Sequence, residues 1–230
     1  MILAAGKGTR LGELGKATPK VLVEVGGEPL LSRHLSFLES QGVRRVVVNA
    51  HHLAEQVQGF LDAYDGPLET RCIVEPELLG TAGGVRNALG ELGGEPFVVV
   101  YGDILLDEPL SPLVELHRRE RAVATVAVHA ADDVEGKGIV ELGPDDRVTG
   151  FVEKPTTAVT RPAWINSGLY LLEPAFVAEL AAGEPLDFGR DVLPAAVERG
   201  ERVYAHRLRQ AVIDLGTPEA LELGRRRVVG

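Results

Sequence analysis

Residues 2–20, ILAAGKGTRLGELGKATPK, hold the side chains best suited to chemistry. A short apolar run, Ile2-Leu3-Ala4, passes at once into Ala5, Gly6 and Gly8, with basic side chains at Lys7, Arg10, Lys16 and Lys20. Glycines let backbone N–H groups turn inward and approach a ligand closely, and such concave backbone binds anions. Cations around that loop suit a polyphosphate. The stretch predicts a strand, a phosphate-binding loop and a second basic anchor at Lys20, held out by Pro19. Two rival motifs fail. A Walker loop needs a glycine, four residues and then Gly-Lys-Ser/Thr, and Arg10 stands where that first glycine should precede Gly15-Lys16-Ala17. A dinucleotide fingerprint would need a third glycine at Leu11.

The elements that must position this loop read as alternating strands and helices. Helical spacing of Leu30, Leu31, His34, Leu35 and Leu38 follows Pro29, and Gly42 closes that segment. A strand at Val43–Val48, a helix through Val57, Phe60 and Leu61, a strand at Thr70–Val74 and a helix over about 81–92 come next. Phe97-Val98-Val99-Val100-Tyr101 is fully apolar, as expected of a parallel strand buried on both faces. This β-α repetition predicts an α/β fold with right-handed crossovers and a doubly wound sheet, whose ligands bind beyond the carboxyl ends of the strands. Asp103 follows the apolar strand, where a buried carboxylate is costly without a metal or partner. The second half changes character. Strands at 138–142 and 147–152 flank a hairpin signal, Gly143-Pro144-Asp145-Asp146, with further strands at 123–129 and 164–172, extended stretches at 202–208 and 212–213, and helices expected near 174–180, 188–199 and 218–227.

With Arg10 and Thr18-Pro19-Lys20 in place, the chain resembles the sugar-1-phosphate nucleotidyltransferases (NDP-sugar pyrophosphorylases), whose signature looks like LAAGxGTRL…TPKxL. Within them it looks closest to the mannose-1-phosphate and D-glycero-D-manno-heptose-1-phosphate guanylyltransferases. The similarity continues through GTAGG, YGD, VEKP, NSGLYLL and DLGTPE. Members usually carry a few more residues ahead of the first strand. The resemblance implies a Rossmann-like, mostly parallel mixed sheet with a small sugar-side β-hairpin lobe. It also implies one nucleotidyltransferase domain over 1–230, with residues 1–110 serving the nucleotide and 111–230 the sugar phosphate.

The implied reaction joins a sugar 1-phosphate to a nucleoside triphosphate by in-line attack on the α-phosphorus, with pyrophosphate leaving and Mg²⁺ as cofactor. Catalysis is then mainly positioning and electrostatic stabilisation. By resemblance, Arg10 and Lys20 grip the triphosphate, and Asp103 and Asp214 hold the metal. Leu3, Ala4, Ala5, Gly6, Lys7, Gly8, Thr9, Glu75, Gly80, Thr81 and Gly102 line the nucleotide. Gly138, Glu153, Lys154 and Asn166 bind the sugar phosphate. Several have a plainer alternative: a helix cap or turn for Asp103, a cap of the final helix for Asp214, a solvated loop charge for Arg10 and Lys20, an exposed hairpin-end pair for Glu153 and Lys154, and a strand hydrogen bonder for Asn166.

Glu75 bears on the base. Uridylyl- and thymidylyltransferases commonly carry a glutamine near this position, whereas an ionised carboxylate only accepts. Guanine presents two adjacent donors that a carboxylate can take together; uracil and thymine present one donor between acceptors. GTP is therefore the expected substrate, with a solvated strand end as the alternative reading of Glu75.

Composition narrows the classes. A net charge of −10 over 230 residues, with no basic stripe, argues against nucleic acid. No apolar run of membrane length and no leader pattern are seen, so a cytoplasmic monomer or homodimer away from membranes is expected. A lone cysteine, Cys72, in an apolar run reads as a buried thiol. Lysines number five against 19 arginines, and most sit in glycine-rich or proline-flanked stretches. His51-His52 lacks an evident third ligand and adjacent residues point apart, so no metal site is expected there. The run Arg225-Arg226-Arg227 suits a helix C-terminus or solvent. The non-enzyme alternative is a nucleotide-sugar-binding regulatory subunit.

Overall fold

A computed structural model describes residues 1–132, 138–153 and 163–229. Strand β1 (Ile2–Leu3) leads into the glycine-rich loop, a 3-10 turn (Thr9–Leu11) and helix α1 (Glu13–Ala17). The apolar run after Pro19 is a 3-10 turn (Lys20–Leu22) followed by two short paired strands, β2 (Glu24–Val25) and β3 (Glu28–Pro29). Gly26 and Gly27, both at positive φ, make the turn between them. Helix α2 (Leu30–Ser40) then buries the five residues whose spacing defined it. Strand β4 (Arg45–Ala50), helix α3 (Ala54–Asp62), strand β5 (Glu69–Val74), helix α4 (Gly80–Leu92) and strand β6 (Phe97–Tyr101) complete the alternating half.

The remainder runs β7 (Ile104–Leu105), α5 (Ser111–Glu120), β8 (Ala124–Ala131), β9 (Gly138–Leu142), β10 (Val148–Glu153), β11 (Ala163–Leu172) and α6 (Pro174–Ala178). A π-type turn (Phe188–Val192) enters α7 (Leu193–Glu198), so the expected single helix over 188–199 is widened in its first half. Strands β12 (Val203–Arg207) and β13 (Ile213–Asp214) and helix α8 (Pro218–Val229) close the chain. The fold class is α/β with a mixed, mostly parallel sheet, and β9–β10 is the expected hairpin.

The chain divides into two compact units, one of residues 1–78, 100–107 and 212–230, the other of 79–99 and 108–211. In the first, β1 pairs in parallel with β4 on one side and with Val100-Tyr101 of β6 on the other, and β4 pairs in parallel with β5. The chain thus leaves β1 in one direction and returns on its far side. That reversal puts the carboxyl end of β1 at the switch point where open sheets bind ligands. Leu11, Val23, Val25, Leu30, Leu105, Leu215 and Leu221 form a core cluster of this unit, so the turn carrying Arg10 is anchored by the next residue. Cys72 is half-buried on β5, less enclosed than its apolar run suggested, because β4 is its one strand neighbour among the described residues. Burial, with Asp62 adding to it, pushes the thiol up to about 11.

In the second unit β11 lies antiparallel to β8 and to β9, β9 to β10, and β12 runs parallel to β8. A register shift interrupts β11 against β8 between Asn166 and Tyr170, and Gly168 sits there at φ 70°.

Candidate active site

Gly8 adopts the left-handed conformation (φ 65°), turning the chain out of the loop into the 3-10 turn. Gly15 of α1 packs directly on the Gly8 carbonyl, where any side chain would collide. Gly6 differs: a Cβ there would meet nothing within 4 Å, so the loop presents bare backbone to open space. Ala4 and Ala5 are buried, while Gly6, Lys7, Thr9 and Arg10 are exposed.

The four charged residues expected to carry the chemistry converge in the first unit. Lys20 Nζ donates to Asp103 Oδ2 at 2.6 Å, with the two side chains 15% and 24% exposed. Arg10 Nη2 donates to Asp214 Oδ2 at 3.3 Å, with both side chains more than half exposed. The two aspartates are neighbours, because β13 pairs antiparallel to β7 with Asp214 opposite Ile104, and Leu215 N donates to the Asp103 carbonyl at 2.7 Å. Gly102 makes the approach possible: its N–H donates to the Leu3 carbonyl at 2.8 Å, and a Cβ would stand 2.7 Å from that oxygen. Gly216 similarly leaves room for the Arg10 guanidinium, 2.5 Å from where its Cβ would be.

The capping alternatives are not what the structure holds. Thr217 Oγ1 accepts from Ala220 N at the start of α8, while Asp214 Oδ1 accepts from Gly216 N at 2.8 Å. Asp103 lies between β6 and β7, well ahead of α5. Both carboxylates keep lone pairs for a further ligand. An exposed pair such as Arg10–Asp214 is worth at most about 1 kcal/mol, so a competing anion can displace it. Lys20–Asp103 is more enclosed, and losing either partner leaves a half-buried charge unmatched.

Glu75 is 1% exposed, which overturns its reading as a solvated strand end. Its Oε1 accepts from Asn49 Nδ2 at 2.7 Å, and Asn49 Oδ1 in turn accepts from Ala4 N at 2.9 Å. Glu75 N donates to the Ala50 carbonyl at 2.7 Å, and His51 Nδ1 lies 2.9 Å from the Glu75 carbonyl. His52 Nε2 instead meets the Gly15 carbonyl at 2.9 Å. The two histidines therefore serve separate backbone partners, and among the described residues no group of three or more His, Cys, Asp or Glu could hold a metal.

The other expected residues belong to the second unit. Gly80, at φ 71°, sits with its Cβ position 2.5 Å from the Leu186 carbonyl, which also accepts from Ala82 N and Gly83 N. The Thr81 hydroxyl donates to Asp187 Oδ2 at 2.8 Å and accepts from Phe188 N at 2.9 Å. These donors at the start of α4 are thus matched within the protein, and Asp187 is a residue that sequence reasoning passed over. Gly138 and Glu153 are cross-strand partners, and Asn166 follows Ile165, which pairs with Ile139 next to Gly138. Gly138 and Glu153 therefore stand at the paired ends of β9 and β10, with Asn166 within β11 alongside that end of β9. Asn166 donates to the Tyr170 hydroxyl at 2.7 Å and accepts from Gly168 N at 3.1 Å, holding the irregularity in β11. Lys154 and the side chain of Glu153 lie outside the described residues.

Paired cation–carboxylate contacts thus lie beside the switch point of a parallel sheet. The chain belongs to the family described as Nucleotidyl transferase, which it matches over residues 1–227. It is similar to the mannose-1-phosphate guanylyltransferase catalytic subunit beta of Drosophila pseudoobscura pseudoobscura, at 34% identity covering 95% of this chain and 59% of that protein. The mannose-1-phosphate guanylyltransferase of Mycobacterium tuberculosis is 30% identical, with 95% and 61% covered. A UTP–glucose-1-phosphate uridylyltransferase of Synechocystis is 29% identical, with 94% and 59% covered. The chain thus spans about three fifths of the length of these relatives. The crystal structure of HddC from Yersinia pseudotuberculosis complexed with GMP-PN superposes with a TM-score of 0.82 at 27% identity, covering 98% of this chain and 97% of that one.

Proposed function

We propose that this protein joins a nucleoside triphosphate, preferentially GTP, to a sugar 1-phosphate of mannose or heptose type, releasing pyrophosphate. The observation that carries this reading is the convergence of Lys20–Asp103 and Arg10–Asp214 through the Leu215–Asp103 backbone bond beside the glycine-rich loop. A displacement at phosphorus gathers negative charge on the non-bridging and leaving oxygens, and cations fixed beforehand lower its barrier without reorganising. Lys20 is held by Asp103 and presents a compact ammonium; Arg10 offers a planar fork that spans two phosphate oxygens. Backbone from Ala5 to Gly8 receives the phosphates, with Leu3, Ala4, Lys7, Thr9 and Gly102 around them, and Glu75, Gly80 and Thr81 serve the base.

Asp103 and Asp214 are the residues that would hold Mg²⁺, which supplies neutralisation of charge on the triphosphate. The donor set fits: both would offer hard carboxylate oxygens, the ligands Mg²⁺ takes, Asp214 from β13 and Asp103 from just before β7. Gly138, Glu153, Lys154 and Asn166 receive the sugar phosphate. The guanylyltransferase names of two relatives and the GMP-PN of HddC favour GTP, while the uridylyltransferase relative marks the competing choice.

A matrix of GTP, ATP, UTP and dTTP against mannose, heptose and glucose 1-phosphates, read by pyrophosphate release, tests the reading. Release fastest with GTP and dependent on the sugar phosphate is the expected result. Equal release with UTP or dTTP removes the base assignment, and no release with any pair removes the activity, leaving a nucleotide-sugar-binding subunit.

A further inference from the structure

We propose that Asn49 is a positioning residue for the nucleotide, tying the Glu75 carboxylate to the mouth of the glycine-rich loop so that base choice and phosphate grip are set together. The inference rests on the nucleotide reading above and adds a residue to it. Asn49 is on β4, between Leu3 of β1 and Ile73 of β5 in the sheet register. From there its side chain reaches one residue past Leu3 to the Ala4 N–H and two residues past Ile73 to Glu75. Asn49 and Glu75 are each 1% exposed, so water does not stand in for either bond.

The residue type follows from the two partners. Ala4 offers only a donor, and the Glu75 carboxylate oxygen accepts. A side chain of this length joining them must accept at one end and donate at the other, which is what an amide does, and its orientation is fixed by those partners. Aspartate would keep the acceptor toward Ala4 and set acceptor against acceptor toward Glu75. The corner that follows continues the link, since Ala50 and His51 hold the Glu75 backbone and His52 holds Gly15, which packs on Gly8. Residues 49–52 therefore bracket the segment entering the base region and the loop expected to enclose the phosphates.

Polarity can be reversed to test this. Asn49→Asp breaks the link, and Glu75→Gln in that background restores it, because the Gln amide donates to Asp. Glu75→Gln alone keeps an acceptor oxygen for Asn49. Binding of inorganic tripolyphosphate is read by calorimetry, and KM and kcat for GTP and UTP by pyrophosphate release. The expected result is a tenfold or greater loss of tripolyphosphate affinity in N49D, mirrored in KM more than in kcat, and recovery to within threefold of wild type in N49D/E75Q. E75Q alone should hold tripolyphosphate like wild type while its GTP-to-UTP ratio falls. Wild-type tripolyphosphate affinity in N49D, or a double variant no better than N49D, overturns the proposal. If N49D does not fold, the double variant decides alone: affinity within threefold of wild type supports the link, and a tenfold loss overturns it. Tripolyphosphate carries neither base nor sugar, so these outcomes stand apart from which substrates the enzyme turns over.

Discussion

Lys20 and Arg10 do different work because their surroundings differ. Lys20 is largely enclosed and bonded to a carboxylate that is itself three-quarters covered, so its ammonium is fixed before any ligand arrives. Arg10 pairs in the open with Asp214 and must be drawn from it. Replacing a preorganised charge costs more of the rate than replacing a mobile one. Lys20→Met is expected to lower kcat by roughly 10²–10³-fold, the range for removing one preorganised donor. Arg10→Ala should act mainly on the KM for the triphosphate, and steady-state kinetics of both variants separate the two. At this scale the positions of Arg10 and Asp103 were legible, each just past an apolar run that breaks into glycine, and so was Lys20, between Pro19 and the apolar run that follows. Asn49 and Asp187 were not. Their meaning lies in partners 45 residues or more away, Ala4 for one and Thr81 for the other, and no local pattern announces such a pair. The burial of Glu75 depends on β4 lying beside β5, which spacing alone does not convey.

At the scale of elements, glycine sets how closely the loop, α1 and the end of β6 can approach. A Cβ at Gly102 would press on the Leu3 carbonyl, and one at Gly15 on the Gly8 carbonyl, both backbone atoms with little room to yield. Gly102→Ala and Gly15→Ala should each destabilise the fold by about 1–3 kcal/mol, as overpacking does, measured by urea unfolding. Gly6→Ala is the control. With nothing near its Cβ position, stability should stay within about 0.5 kcal/mol of wild type, and any loss should fall on nucleotide affinity. Long periodic elements such as α2 and α4 were readable because burial repeats along them. Of the two-residue strands that bring Asp103 beside Asp214, β13 was foreshadowed as an extended stretch at 212–213, whereas β7 was not read, since two residues carry no period.

For the whole molecule, buried histidines tie stability to pH. Burial pushes His34 down to about 4 against an ordinary 6.5, although backbone groups at Gly102 and Ile104 and the Asp103 charge oppose that shift. Its Nε2 has no hydrogen-bond partner among the described residues. His117 and His206 are also lowered, chiefly by burial. Between pH 6.5 and 4 the unfolded chain takes up the His34 proton and the folded chain does not, so stability falls as the solution is acidified through that window. The loss from His34 is roughly 3 kcal/mol by pH 4. Unfolding midpoints should drop across this range, and His34→Leu should flatten the slope.

The pairing of strand-end carboxylates with loop cations is tested most directly by following pyrophosphate release from GTP and mannose 1-phosphate against Mg²⁺ concentration, in wild type, Asp103→Asn and Asp214→Asn. Release by the wild type should stop with chelator and return with Mg²⁺, and Asp103→Asn should be at least about a thousandfold slower at every concentration. Wild-type release unaffected by chelator, or Asp103→Asn within threefold of wild type, would contradict it.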